Sequence, residues 1–474
     1  MTIVYGMMMS VVIALFVLVF KKTMRWHEVP TPFMGWLVGI SFFLILPLCI
    51  LILNGGYKMP ASYGVLGRWG EVDLSDSSYI YPFLVIWLSL VLTACTLLIV
   101  LPKRRRTAGV VPCYAISLPK LRAVILICSV IIMTDWIASV VMVGGIRQYF
   151  FHHWYTRFDE TIEKWGGIFV LFQYTTNAIQ IIFTALTALY IDAAIKRHTR
   201  QYGIMIFALI IVFMNMVMTG NRIYIALLML YAGSSLLVQR RFLVIFFLGL
   251  VLPVLVLFFS AWAHVRGGIG DISSAISNYK YSMEGESNKF MNALVDVTEA
   301  SNVMLLFHII NDFGTRYDFL YGSTYTRATT FFIPRTIYPD RTKSFTVTLA
   351  ELYEPEAHTS FSSTMLGEMY ANFSILSAFL LPMFTLAILW ASGWVMKRLH
   401  RHGLLSALLF MIFAWMSRSV FAGNFIAIIF CIVLIRGLRF EKGLLYPTGY
   451  DKLLYSRLCR IGKARAFDRH LFSG

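Results

Sequence analysis

Charge is scarce in this chain, and negative charge scarcest: only 14% of the 474 residues are Asp, Glu, Lys or Arg, with 24 acids against 41 bases. So little charge beside 58% hydrophobic residues excludes an ordinary soluble domain. Cysteine is also sparse. Four of the six fall in apolar runs (Cys49, Cys95, Cys128, Cys431) and two in connections expected on the cytoplasmic side (Cys113, Cys459), so no structural disulfide is expected. A Cys/His cluster with zinc spacing, a Walker-type glycine loop and a dinucleotide fingerprint are all missing from the sequence. Those absences argue against ATP-driven transport by this chain alone, and no cofactor or metal is called for.

What the chain has instead is apolar runs long enough to cross a bilayer. We read eleven: Ile3–Phe20, Phe33–Leu53, Tyr79–Leu101, Ala123–Val143, Gly167–Tyr190, Gly203–Thr219, Ile223–Val238, Phe242–Ser260, Phe373–Met396, Leu404–Met416 and Val420–Ile435. The expected fold is an all-α polytopic membrane protein. The net charge of +17 reports topology rather than a nucleic-acid partner. Of the 41 basic residues, 26 fall in alternate connections and the tail, among them Lys21-Lys22, Lys103–Arg106, Arg240-Arg241 and nine after Ile435, with only five acids (Glu28, Asp192, Glu441, Asp451, Asp468). The positive-inside rule then places the N-terminus outside and the C-terminus in the cytoplasm. The first span lacks a positive leading region and a small-residue cleavage site, so we read it as a retained anchor. No internal repeat is visible.

Four sections follow: spans one to eight over residues 1–260, a long polar loop over 261–371, spans nine to eleven over 372–438 and a basic cytoplasmic tail over 439–474. The polar loop is the longest such stretch, and long loops in compact proteins are functional or disordered. Within it, Asn288–Phe313 has no Pro or Gly and a helical period in Met291, Leu294, Val295, Val303, Met304, Phe307 and Ile310. This predicts one or two amphipathic helices on the membrane or the bundle, with Gly314 as C-cap. Ser363–Met369 reads as a re-entrant helix leading into the ninth span.

Ionisable groups at the hydrocarbon edge are costly and face a cavity or a partner. Asp135, Arg222, Arg266 and Arg418 qualify, and Arg335, Arg341 and Lys343 add outward-facing cations. Guanidinium groups beside a bilayer suit a lipid-linked pyrophosphate. The plainer alternatives are snorkelling, helix capping or, for Arg222, pairing with Asp135. Glu368, just before the ninth span, is suited to general-base chemistry or to a helix dipole. His264 and His308 are further base candidates, although a lone histidine on an apolar helix face is more often core or interfacial. His152-His153 fits an aromatic belt, His358 lies in a polar patch, and the Glu71/Asp73 pair is a weak metal or base signal.

TGNR at Thr219–Arg222, Gly322–Tyr325, Pro334-Arg335 with Pro339, Arg341 and Lys343, then Gly367-Glu368, Tyr370 and Asn372-Phe373 occur in an order that resembles the Wzy-type polymerases of O-antigen, capsule or exopolysaccharide repeat units. Arg341 departs from the Lys-Pro often present there. The resemblance implies transfer of a growing glycan from undecaprenyl pyrophosphate to the non-reducing end of an incoming lipid-linked repeat unit, at the outer face of the inner membrane. It also implies Arg222, Arg266 and Arg335 on the pyrophosphates with Arg418 in support, Glu368, His308 or His264 as base, and Tyr317, Tyr321, Tyr325 and Tyr370 stacking on sugars. The lipid bilayer, a chain-length-regulating membrane protein and a flippase are the partners it suggests. An O-antigen-ligase-like glycan transferase, a lipid-linked oligosaccharide flippase or other transporter, and a polyprenyl-monophosphate-dependent glycosyltransferase remain alternatives.

Overall fold

The computed structural model describes residues 1–24, 30–58, 70–101, 118–143, 145–146, 175–192, 202–219, 222–238, 293–295, 297–330, 333, 337–338, 342–354, 361–397 and 403–437. It is mostly helical. The apolar helices are α1 (Thr2–Met24), α2 (Pro32–Ile40) running through a π-turn into α3 (Leu46–Leu53), α4 (Ile80–Val100), α5 (Leu118–Val143), α6 (Tyr202–Thr219) and α7 (Ile223–Val238). Four helices from the polar loop and its exit follow: α8 (Ala300–Asp312), α9 (Ser323–Thr330), α10 (Phe345–Tyr353) and α11 (Met365–Phe373). The chain then adds α12 (Ser377–Lys397), α13 (Gly403–Met416) and α14 (Phe421–Gly437).

Among the described residues, six helical runs are long and apolar enough to cross a membrane, and α7 and the apolar parts of α13 and α14 are shorter. Residues 175–192 are helical and cover most of the expected fifth span. The expected eighth span, Phe242–Ser260, lies outside the described residues. Along α1, Tyr5, Met9, Val12, Phe16 and Val19 are buried, while Ile3, Met7, Val11 and Val17 on its other side are exposed. A helix apolar all round with one face inward presents the other face to lipid. Hydroxyls inside these helices bond to their own backbone, as Ser89 does to the Val85 carbonyl and Thr93 to that of Ser89, both at 2.7 Å. No water is needed to satisfy them.

Local sequence explains several boundaries. The Thr31 hydroxyl accepts the Met34 N–H at 3.2 Å and Pro32 occupies the first helical position, so α2 starts there. Pro47 has no N–H to continue the ladder, and the chain accommodates it with the π-turn Ser41–Ile45 immediately before. Gly35 and Gly39 lie on one face of α2, where backbone approaches α13 closely. A Cβ added at Gly39 would sit 2.5 Å from the Ala414 carbonyl oxygen, and one at Gly35 would overlap that of Phe410. Such small-residue spacing lets two apolar helices touch along their backbones. Trp36 then reaches α12 by donating to the Thr385 hydroxyl at 3.0 Å.

Of the two placements expected for the amphipathic segment, membrane or bundle, α8 takes the second: every residue from Asn302 to Ile310 is buried, packed in the core with Leu48, Leu51, Leu90 and Met369. Against expectation, the fold is not purely helical, because β1 (Gly56–Lys58) pairs antiparallel with β2 (Glu71–Asp73). Three-residue strands carry too little alternation to stand out in sequence. The helix expected to lead into the ninth span is α11, which ends at Phe373; Ser374 has φ 54°, and α12 begins at Ser377 after one 3-10 turn.

Candidate functional site

At one end of the bundle, the turn between α13 and α14 carries Arg418, whose Nε donates to Glu299 Oε2. Arg222, just before α7, approaches the other carboxylate oxygen, with its Nε 3.9 Å from Oε1. Asn302 Nδ2 adds a hydrogen bond to Oε2 at 3.0 Å. All three charged side chains are largely shielded, at 12–19% exposure. Glu299 precedes α8 in a left-handed conformation (φ 55°, ψ 43°). That conformation costs a non-glycine residue about 1–2 kcal/mol, so the surrounding contacts must hold it. Burial pushes the Glu299 carboxyl up, but Arg418, then Arg222 and the hydrogen bonds from Arg418 and Asn302, outweigh burial and hold it below the ordinary glutamate range.

The same turn reaches a second carboxylate. Glu368, in the first turn of α11, is completely buried. Its Oε2 accepts the Phe421 N–H at 2.6 Å, so it caps the start of α14 as well as lying in its own helix. Met365 N–H donates to the Ser417 carbonyl at 3.3 Å, closing α11 onto the turn. Glu368 Oε1 is buried and makes no hydrogen bond, although the Thr324 hydroxyl approaches the carboxylate.

The start of α9 is stitched over this carboxylate by Asn372. Asn372 Nδ2 donates to Thr324 Oγ1 at 2.9 Å and to the Glu368 carbonyl at 2.8 Å, and its Oδ1 accepts the Gly322 N–H at 2.9 Å. Leu320 N–H adds a bond to the Ala371 carbonyl at 2.9 Å. Tyr325 follows Thr324, with its ring centroid 5.3 Å from Phe421 and 5.6 Å from Phe373. Its hydroxyl is buried with no hydrogen-bond partner.

Arg222, Arg418, Glu368 and Tyr325 are therefore drawn together by one turn and its neighbours. Other candidates are engaged differently. Nε2 of the buried His308 hydrogen-bonds the Glu71 carbonyl at 2.9 Å, which ties α8 to β2 and gives the histidine a core role. Glu71 itself pairs with Lys58 at 2.9 Å, and Asp73 accepts the Ser75 N–H at 2.8 Å. Lys343 pairs with Glu351 at 2.6 Å with both side chains about half exposed. The Tyr370 hydroxyl lies 3.2 Å from that of Tyr81, and the Tyr317 hydroxyl donates to the Leu352 carbonyl at 2.9 Å. Tyr321 is 81% exposed. Asp135 accepts a hydrogen bond from Thr176 at 3.1 Å. His264, Arg266, Arg335, Arg341, His358 and His152-His153 lie outside the described residues.

Sequence reasoning missed Glu299. Its setting, DVTEASN within a periodic helical stretch, reads as a helix surface, and only the break at Glu299 turns its side chain inward. It also missed the Phe421 N–H, because a backbone group carries no sequence signal beyond the start of a helix.

Chemically the site offers an anion-binding place already holding a carboxylate, and beside it a buried carboxylate with one oxygen that no protein group bonds. Among the described residues no cluster of His, Cys, Asp and Glu could hold a metal ion. In comparisons with known proteins, the chain matches no family model, no curated protein and no solved structure.

Proposed function

We propose that the protein polymerises lipid-linked oligosaccharide repeat units at the outer face of the bacterial inner membrane, with its N-terminus outside and its C-terminus in the cytoplasm. The observation that carries this reading is the joining of a two-arginine anion site to a buried carboxylate by the single turn from Ser417 to Phe421. Glycosyl transfer from a polyprenyl pyrophosphate needs those two capacities and no nucleotide. The acceptor hydroxyl oxygen forms the new bond to the donor's anomeric carbon as the bond to the pyrophosphate breaks. The leaving group takes the electron pair, and the acceptor proton passes to a base.

Arg222 and Arg418 stabilise the departing pyrophosphate, exchanging or sharing Glu299 with it, and Glu368 Oε1 receives the proton. The cap that Oε2 gives α14 does not conflict with this role, since it holds the carboxylate rigid and leaves the other oxygen free. His308 is committed to the β2 backbone and is the weaker base candidate. The order of motifs from Thr219 to Phe373 supports the same reading, as does the gathering of these groups at one end of the bundle rather than along a path through it.

A strain lacking the protein tests this reading. It should accumulate single repeat units on their usual acceptor, and Arg222→Ala supplied in its place should restore polymer about 10- to 150-fold less effectively than the wild type, as loss of a charge-assisted phosphate contact requires. Long polymer stranded on undecaprenyl pyrophosphate would instead indicate a ligase, and repeat units trapped on the cytoplasmic leaflet a flippase.

A further inference from the structure

Among the described residues, the buried polar atoms without a hydrogen-bond partner include Glu368 Oε1 and the Tyr325 hydroxyl oxygen, both packed against Phe421 of the Ser417–Phe421 turn. Buried groups left this way are uncommon and each calls for an explanation. One such atom is a local defect; two that share the same neighbours define a place. Both side chains meet at Phe421, whose N–H binds Glu368 Oε2 and whose ring lies 5.3 Å from that of Tyr325. Asn372 ties their backbones together, donating to the Glu368 carbonyl and to the hydroxyl of Thr324, the residue before Tyr325. The Tyr325 hydroxyl is close enough that the Glu368 charge, added to burial, makes it harder to ionise.

Burial pushes the Glu368 carboxyl up to about 7; in its ionised form, the one a base needs, it accepts hydrogen bonds and cannot donate, and a neutral tyrosine has a hydrogen to give. The group that satisfies both is one that donates through its hydrogen and accepts through its oxygen. That is a hydroxyl. A cation would leave the tyrosine hydrogen unmet, and an anion would be repelled by the carboxylate.

We propose that Glu368 and Tyr325 form the subsite for the acceptor sugar's attacking hydroxyl, which donates to Glu368 Oε1 and accepts from the Tyr325 hydroxyl. This inference rests on the polymerase reading and deepens it: it makes Tyr325 a catalytic residue that contacts the reacting oxygen, where a stacking role would use only its ring. Both atoms are shut off from solvent, and Tyr325 lies on α9 itself, so a sugar enters by displacement of α9 and is enclosed when α9 returns Tyr325 to its place.

The other source of the same chemistry is a resident water bridging the two groups, and one experiment separates the two. The wild-type full-length protein, Tyr325→Phe and Glu368→Gln are purified in detergent. Each is assayed for chain extension on undecaprenyl-pyrophosphate-linked repeat units extracted from a strain lacking the protein, and melting temperatures are measured in parallel. Phenylalanine removes only an oxygen that bonds to nothing in the protein, and the glutamine carbonyl can still cap α14. Tyr325→Phe should therefore melt at or above the wild-type temperature yet lose about tenfold in kcat/KM for the acceptor, as for one hydrogen bond. Glu368→Gln should lose about 100-fold or more, as for a general base.

Wild-type extension with Tyr325→Phe equally active overturns the subsite and leaves the polymerase reading standing. Equal activity together with a lowered melting temperature assigns the place to a structural water and overturns it too. Absence of any wild-type ladder overturns both readings.

Discussion

Glu299 stands between two guanidinium groups with a backbone that non-glycine residues avoid, and its ion pairs have a pH dependence with a definite sign. Its folded pKa lies below the ordinary value, so the stabilisation is fully present above about pH 4.3 and is lost as pH falls through the depressed folded value. Glu299→Gln should cost about 2 kcal/mol at pH 7, in line with hydrogen bonds to charged groups. The gap between the two proteins' unfolding free energies should close towards pH 3. A gap of the same size at both pH values would show that the cost is one of packing. Arg222, Arg418 and Glu368 were legible beforehand because ionisable residues at span edges are expensive enough to be noticed. Glu299 was not, since its burial depends on a break that nothing in DVTEASN announces. The Tyr325 hydroxyl was also invisible, because tyrosines are common and only packing reveals which one lacks a partner.

Helix packing determines whether the site's turn is in place. The turn follows α13, and α13 is held against α2 through Gly35 and Gly39. Gly39→Ala should therefore act on stability and on the site together. Its Cβ would overlap the Ala414 carbonyl and the Ser417 hydroxyl, costing about 1–3 kcal/mol as overpacked positions do. Movement of Ser417 would then disturb Arg418 and Phe421 as well. Gly6→Ala is the control, since nothing lies within 4 Å of a Cβ there. Equal melting temperatures for the two variants would contradict the tight crossing. Most apolar helices were legible because composition and length alone mark them. The burial of α8 was not, because an amphipathic period says that one face is covered but not by what. Asn302, Leu305, Leu306, His308 and Ile309 complete its buried surface from positions the period does not favour.

Across the whole molecule, the segments that meet at the site are far apart in sequence: the turn at Arg222, the polar loop and the turn at Arg418. All three are connections that the distribution of Lys and Arg assigns to the outer side. The long polar loop from residue 261 is thus one part of a site completed by the bundle, contributing Glu299, Tyr325 and Glu368 where the bundle contributes Arg222 and Arg418. The central claim is that these groups join lipid-linked glycans without an energy-rich nucleotide. It is tested most directly by incubating the purified full-length protein with lipid-linked repeat units, without nucleotide or added metal, and sizing the products on a gel. The account predicts a ladder of products one repeat unit apart, absent with Glu368→Gln. Wild-type products that never exceed a single unit would contradict it.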